Sequence, residues 1–526
     1  MKVFFCLLAL ATLANSALLP PYIFGRPTRS SFLKHHERIH FAKHNGIDAL
    51  LMRDALEADA ATPDVKIGWF TNQRFQYNDK FFDSKADPAH IFLMVGGEGE
   101  AEAVWVQNPN YQWMKMAAKH NAMAVQLEHR FFGNSQVFDN KTAMSFENLK
   151  YLTPKQAIED LAAFIKGGSY PGGLTAVSRL KHPELSVGGI ASSGGIDLRV
   201  DYSGYAQGMQ DTILQQSKEC YLAVNTSFYS LQQASLTVAG RNKLNKIFNL
   251  APAFDASTTQ LDITNFFASI FGVFQGIIQY TFDGRNKATE NGLSVTGICK
   301  LMLTNNDPIQ KLQDVNNWNN GFYNISKNDP FPNSYSDMIN TMRTVEWKED
   351  NNNALEARGW GWLTCNFLGF FQTTDQGRNI FQNIVPLGYF VNMCTDMFDK
   401  SVDMNYIVQA NAQAKLYYGD VTTYNASNVV LPNGNDDPWR AIGVYVNNPA
   451  THTISMKIKG EGHCSDMYES YAAESPDLAG VRKLIFGEVD YYLGVQNHIE
   501  TTTKSSSTST LPIFSLFSAI CIYLFI

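Results

Sequence analysis

Apolar and polar positions fall into blocks along this chain, and the blocks change character along its length. Residues 89–95 (Ala-His-Ile-Phe-Leu-Met-Val) form a short apolar run that stops at Gly96-Gly97. Residues 122–127 form another that stops at Glu128-His129-Arg130. Short apolar runs bounded by turn residues predict buried strands. Residues 101–120 between them read as a helix, and strand, glycine turn, helix, strand is the pattern of a parallel α/β sheet. Residues 153–166 predict an amphipathic helix with Thr153 as N-cap and Pro154 in the first turn, running straight into Gly167. Residues 174–181 predict another helix. From about residue 205 to 350 Gln, Asn, Leu and Phe recur at helical spacing. The most apolar stretch there, 261–282, contains Asp262, Gln275 and Gln279, which makes it a buried helix rather than a membrane span. Strand-like runs return at 414–418 and 453–458, and 481–493 predicts a closing helix. The expected architecture is an α/β core, 66–204 and 351–496, interrupted by a helical insertion, 205–350. A polar N-terminal segment without a clear strand, 17–65, precedes it. There is no internal repeat.

The two ends change the picture. Residues 1–16 carry a Lys near the start, an apolar stretch too short to span a bilayer, and Ala14-Asn15-Ser16, the marks of a secretory signal peptide. Residues 497–526 are a Ser/Thr-rich spacer and an apolar tail. As a helix the 511–526 tail reaches about 24 Å, short of the roughly 30 Å hydrocarbon core. A polar small-residue stretch before such a tail resembles a GPI-attachment signal with Ser505, Ser506 and Ser507 as candidate sites. A short membrane anchor or an uncleaved tail are the alternatives. Net charge is −7 over 526 residues, with 45% hydrophobic and 17% charged residues, which excludes a disordered chain and argues against nucleic-acid binding. With Cys6 in the signal and Cys521 in the tail, Cys220, Cys299, Cys365, Cys394 and Cys464 remain. Disulfides are expected in a secreted chain, and an odd number leaves one thiol over. Asn140, Asn225, Asn324 and Asn425 head glycosylation sequons.

Three short motifs carry candidate chemistry. In Gly167-Gly168-Ser169-Tyr170-Pro171-Gly172-Gly173 a serine sits on a glycine turn before a helix, as in a nucleophile elbow, and the N–H of Tyr170 would face a developing oxyanion. Asn433-Gly434-Asn435-Asp436-Asp437-Pro438-Trp439 puts a carboxylate on a turn, and Gly460-Glu461-Gly462-His463 puts a histidine on one. Each alone is equally an ordinary loop. Together, Ser169, Asp437 and His463 follow the chain order of α/β-hydrolase triads, and Gly96-Gly97 lies where such folds place a second oxyanion donor. His36-Glu37-Arg38-Ile39-His40 fits the zinc pattern H-E-x-x-H, but no third ligand follows at the required spacing, and the segment reads as solvated and propeptide-like. No metal and no cofactor is expected.

These stretches, with Gly96 to Glu102, Leu127 to Ser135, Leu149 to Thr153, Thr364-Cys365 and Phe371 to Asp375, resemble one family of serine peptidases. It includes lysosomal Pro-Xaa carboxypeptidase, dipeptidyl peptidase II and thymus-specific serine protease. The resemblance covers about residues 69–493. It implies an α/β-hydrolase core with an inserted helical cap domain, cleavage at prolyl bonds near a peptide terminus, and for many members an acidic compartment. It implies Ser169 as nucleophile, His463 as general base and acid, and Asp437 as the residue that orients His463. Tyr170 and Gly97 would supply oxyanion donors, and Glu98 and Trp439 would border the substrate. It also implies disulfides Cys220–Cys299 and Cys365–Cys394, with Cys464 left beside His463.

The chain departs from the family in one important place. The family has a strand immediately before its Gly-Gly-Ser-Tyr, and here the helix pattern abuts Gly167. An elbow needs a strand to launch it. Either 162–166 switches from helix to strand, or residues are lacking, or activity is lost. Pro171, Gly173, Val177, Leu363 and Phe367 also differ from family residues. Three readings follow. The first is a secreted, lysosomal or surface-attached serine exopeptidase acting on peptides. The second is a catalytically impaired pseudopeptidase that binds peptides, and the third an esterase on the same fold. A homodimer and membrane attachment through the tail are both compatible with the sequence.

Overall fold

The computed structural model describes residues 19–20, 22–24, 26–27, 64–70, 72–161, 167–281, 292–323, 325–348, 352–377, 379–471 and 474–495. The signal segment, the His36–His40 pattern, Asn324 and the C-terminal tail lie outside the described residues.

Two four-stranded sheets carry the core. Strands β1 (Lys66–Phe70), β2 (Gln73–Asn78), β3 (Ile91–Val95) and β4 (Met123–Leu127) form the first, in the order β1-β2-β4-β3. The β1–β2 and β2–β4 pairs are antiparallel and the β3–β4 pair is parallel. Strands β5 (Gly167–Gly168), β6 (Gly189–Ser192), β7 (Val429–Gly434) and β8 (Thr453–Ile458) form the second, all parallel, in the order β5-β6-β7-β8. Set edge to edge, the two sheets give 1-2-4-3-5-6-7-8, the strand order of an α/β hydrolase. The ends of β3 and β5 are neighbours in space, but among the described residues no ladder joins them. The strand before Ser169 that the sequence pattern did not show is present at Gly167–Gly168, held to β6 at Gly167↔Ala191 and Gly168↔Ser192. The helix read over 153–166 is described as helix only over Pro154–Leu161, and 162–166 lie outside the described residues.

Helices cover both faces because alternate strand residues point to opposite sides. Ile190, Val430 and Ile458 pack with Met116 of α1 (Gln112–Lys119) and with Leu478, Val481 and Ile485 of α14 (Pro476–Tyr492). Their neighbours Ala191, Val429 and Leu431 share a cluster with Ile158 of α2 (Pro154–Leu161) and with Leu174 and Val177 of α3 (Tyr170–Lys181).

Between β6 and β7 the described residues are mostly helical, with two short parallel pairs, Arg199–Asp201 with Gly369–Phe371 and Leu250–Ala251 with Phe331–Pro332. The chain forms α4 (Gly204–Gln216), α5 (Lys218–Ser235), α6 (Val238–Phe248), α7 (Gln260–Gln279), α8 (Val295–Met302), α9 (Pro308–Phe322) and α10 (Tyr335–Met342). Then follow α11 (Asn352–Leu363), α12 (Leu387–Met397) and α13 (Met404–Tyr418). The apolar α7 opens on a reciprocal cap between Thr259 and Asp262, and 83% of its most apolar window is buried, as a core helix requires.

Three expectations are corrected. Residues 101–120 are one turn, Val104–Gln107, and then α1, because Pro109 drives Asn108 out of the helical region to ψ 105°. The run 414–418 is the end of α13, not a strand; a short apolar run does not separate the two, and the Asp403 N-cap eleven residues upstream decides for helix. The N-terminal segment holds a short antiparallel pair, Tyr22–Ile23 with Arg26–Pro27. It is buried: Trp360 Nε1 donates to the Phe24 carbonyl at 3.0 Å, and Arg26 pairs with Glu356 at 2.6 Å.

Candidate active site

Strand β5 delivers Ser169 onto a sharp turn. Its φ of 65° and ψ of −129° are unfavourable for a residue with a Cβ, the strain expected of an elbow. The turn is pinned on both sides: Ser169 N donates to the Ser192 carbonyl at the end of β6 at 2.8 Å, and Gly173 N of α3 donates to the Ser169 carbonyl at 3.0 Å. Asp437 follows β7. It is fully buried and caps the turn Pro438–Ile442, its Oδ1 accepting from Trp439 N at 2.9 Å. His463 follows the neighbouring β8. Parallel neighbours end on the same edge of the sheet, so both loops reach Ser169.

The three side chains meet. His463 Nδ1 lies 2.7 Å from Asp437 Oδ2, and His463 Nε2 lies 2.7 Å from Ser169 Oγ. The carboxylate can only accept, so the neutral ring carries its proton on Nδ1 and leaves Nε2 to accept the serine hydroxyl. Burial opposes a charge on His463, but the Asp437 carboxylate outweighs it, aided by Cys464, and holds the imidazole well above its ordinary value.

The oxyanion candidates sit against this group. Tyr170 opens α3, so its N–H is among those a helix leaves without an internal partner. Gly97 faces the same turn: a Cβ on it would lie 2.8 Å from Pro171 Cγ. Glu98 is half-buried and close enough to Tyr170 to act with burial and Tyr418 in raising its phenol. Trp439 joins an aromatic group, with ring centroids 5.6 Å from Tyr202, 5.3 Å from Tyr205 and 5.5 Å from Phe370.

Cys220 is bonded to Cys299, linking α5 to α8, and Cys365 to Cys394. Cys464 is free and buried, its N–H donating to Ser193 Oγ at 3.0 Å. Asn140 and Asn425 are exposed, whereas Asn225 is half-buried in α5, where its Oδ1 accepts from Gln382 Nε2 at 2.7 Å.

The sequence reading missed Gln279. From the end of α7 its carbonyl accepts from His463 N at 2.8 Å, and its Oε1 accepts from Tyr205 Oη at 2.7 Å and Trp439 Nε1 at 2.9 Å. A carboxamide inside so apolar a helix was the available signal, and it had served only to exclude a membrane span. His129 was also missed as a site neighbour: its Nε2 lies 3.3 Å from Tyr170 Oη.

The family described as serine carboxypeptidase S28 matches residues 66–485. A serine protease homologue of Caenorhabditis elegans is 37% identical over 553 aligned residues, covering 99% of each chain. Thymus-specific serine protease of Mus musculus is 25% identical over 80% of this chain and 83% of its own. Lysosomal Pro-X carboxypeptidase of Bos taurus is 23% identical, again over 80% and 83%. The matched span runs from β1 into α14 and takes in both sheets, the helical layer and all three loops that meet at Ser169, so this chain belongs to the serine carboxypeptidase S28 family.

Proposed function

We propose that this chain is a serine exopeptidase of the secretory pathway that hydrolyses peptides at prolyl bonds near a terminus. The observation that carries the reading is the continuous chain of short contacts from Ser169 Oγ through His463 to Asp437, each 2.7 Å. Ser169 Oγ attacks the scissile carbonyl as His463 Nε2 takes its proton. Asp437 keeps the ring in the reactive tautomer and stabilises the imidazolium. The N–H groups of Tyr170 and Gly97 bind the oxyanion. His463 then protonates the leaving amine and activates the water that hydrolyses the acyl-enzyme. Trp439, half-buried and backed by the buried Tyr202, Tyr205 and Phe370, offers an apolar ring suited to a proline, and Glu98 borders the substrate. The helices over 205–350 act as a cap. Two disulfides and the lysosomal relative support a route through an oxidising compartment.

The helix pattern that runs straight into Gly167 in the sequence favours one rival, a pseudopeptidase that binds peptides without cleaving them. Fluorophosphonate labelling of wild type and Ser169→Ala, with a melt to show that both are folded, separates the two. The proposal expects labelling that disappears in the variant and a loss of roughly 10⁶ in peptide hydrolysis. A folded wild type that does not label would leave the binding protein.

A further inference from the structure

We infer that His129 is a positioning residue for the reaction proposed above: by accepting the Tyr170 hydroxyl across the break between the two sheets, it holds the Tyr170 N–H in place for the oxyanion. The inference rests on that reading of Ser169.

The geometry assigns each proton. His129 Nδ1 lies 2.8 Å from the Arg130 carbonyl, which can only accept, so the proton is on Nδ1. Nε2 of the neutral ring is then a bare acceptor, and the Tyr170 hydroxyl 3.3 Å away donates to it. Burial keeps the ring neutral, pushing its pKa down to about 4 against the hydrogen bond to the Arg130 carbonyl and the Asp160 charge, which raise it; the Arg130 charge adds a smaller lowering. Both partners are buried, His129 4% and Tyr170 8% exposed, so losing either one strands a polar atom away from water.

His129 is firmly held. It follows β4 directly, and the preceding Glu128 is tied to Arg74 and to Ser135 Oγ, each at 2.7 Å. The Tyr170 ring lies against His129 on one side and Trp360 on another, with centroids 5.7 Å and 5.6 Å apart. The end of β4 also abuts the other oxyanion loop, since a Cβ on Gly96 would lie 2.8 Å from His129 N. One rigid strand end thus braces both donor loops.

Among the described residues β5 pairs with β6 alone, and the His129–Tyr170 bond joins the end of the first sheet to the start of α3.

The test uses His129→Leu, His129→Gln, Tyr170→Phe and the double variant His129→Leu/Tyr170→Phe in the full chain. The readouts are fluorophosphonate labelling rate, kcat and KM on a prolyl peptide, and melting. Gln places an acceptor where Nε2 stood. The inference expects His129→Leu to lower kcat about tenfold with KM nearly unchanged, His129→Gln to restore most of it, and the double variant to be no worse than either single change. Where His129→Leu does not fold, Tyr170→Phe, which removes one hydroxyl, carries the test with the same expectation. A kcat within twofold of wild type in folded His129→Leu or Tyr170→Phe would overturn the inference while leaving the proposed function intact. So would equal damage in His129→Gln and His129→Leu. A folded wild type that neither labels nor hydrolyses would overturn both.

Discussion

Gly462→Ala tests whether the helical layer sets the position of His463, the proposed general base. Gly462 precedes His463 and lies under the end of α7. A Cβ there would sit 2.3 Å from the Thr281 carbonyl oxygen and 2.9 Å from that of Gln279. Carbon and oxygen are rarely closer than about 3.3 Å without a hydrogen bond, so loop and helix end must part by about 1 Å. The His463 N to Gln279 carbonyl bond, now 2.8 Å, would then stretch beyond hydrogen-bonding range. A shift of about 1 Å in a catalytic group costs on the order of 10² in rate, or about 2.7 kcal/mol in the barrier. The assay is the second-order rate of fluorophosphonate labelling, with hydrolysis of a prolyl peptide beside it. Gly487→Ala in α14 is the control, since its Cβ would meet nothing within 4 Å. Labelling of Gly462→Ala within threefold of wild type, at an unchanged melting temperature, would refute the idea that α7 positions His463.

Other outcomes follow from the same contacts. Because Asp437 and Cys464 together outweigh burial and raise the His463 pKa, and the base works only when neutral, kcat/KM should climb with pH through a midpoint above the ordinary 6.5. Asp437→Ala removes the raising charge and leaves burial, so the residual activity should titrate below that value; a wild-type midpoint already on the acid side would contradict this electrostatic account. In stability terms a raised histidine pKa favours the fold below the unfolded value, and that contribution disappears as pH rises through the folded one. Replacing Cys220 and Cys299, 79 residues apart, by serine should lower unfolding free energy by about 4.5 kcal/mol, against about 3.6 kcal/mol for Cys365 and Cys394, 29 apart. Denaturant titration ranks the two, and the reverse order would show that native strain or denatured-state structure outweighs loop entropy.

The site was legible where its information is local. Turn chemistry lies within a few residues: glycines around Ser169, an Asp-Pro step at Asp437, glycines just before His463. The run at β8 placed the His463 loop after a strand, whereas β5 before Ser169 and β7 before Asp437 were not read, and only the order of the three motifs tied them together. The reading failed where helix and strand are decided by neighbours. The 414–418 run has the apolar content of a strand but completes α13, and Gly167–Gly168 has no strand propensity yet pairs with β6. Two glycines become a strand only because Ala191 and Ser192 present a ladder beside them.

The sequence by itself determined the chemical types available, their order, and the turns that carry them, because φ/ψ preferences and turn hydrogen bonds act over a few residues. The tertiary structure decided what those groups touch. Gln279 reaches Trp439 across 160 positions, and His463 reaches Ser169 across 294. No local pattern encodes such contacts; they arise when sheet edges, helix ends and the buried Phe24 segment must share one core. The elbow is of the same kind, for Ser169 N reaches the Ser192 carbonyl at the end of β6, and that pairing holds Ser169 where His463 can reach it.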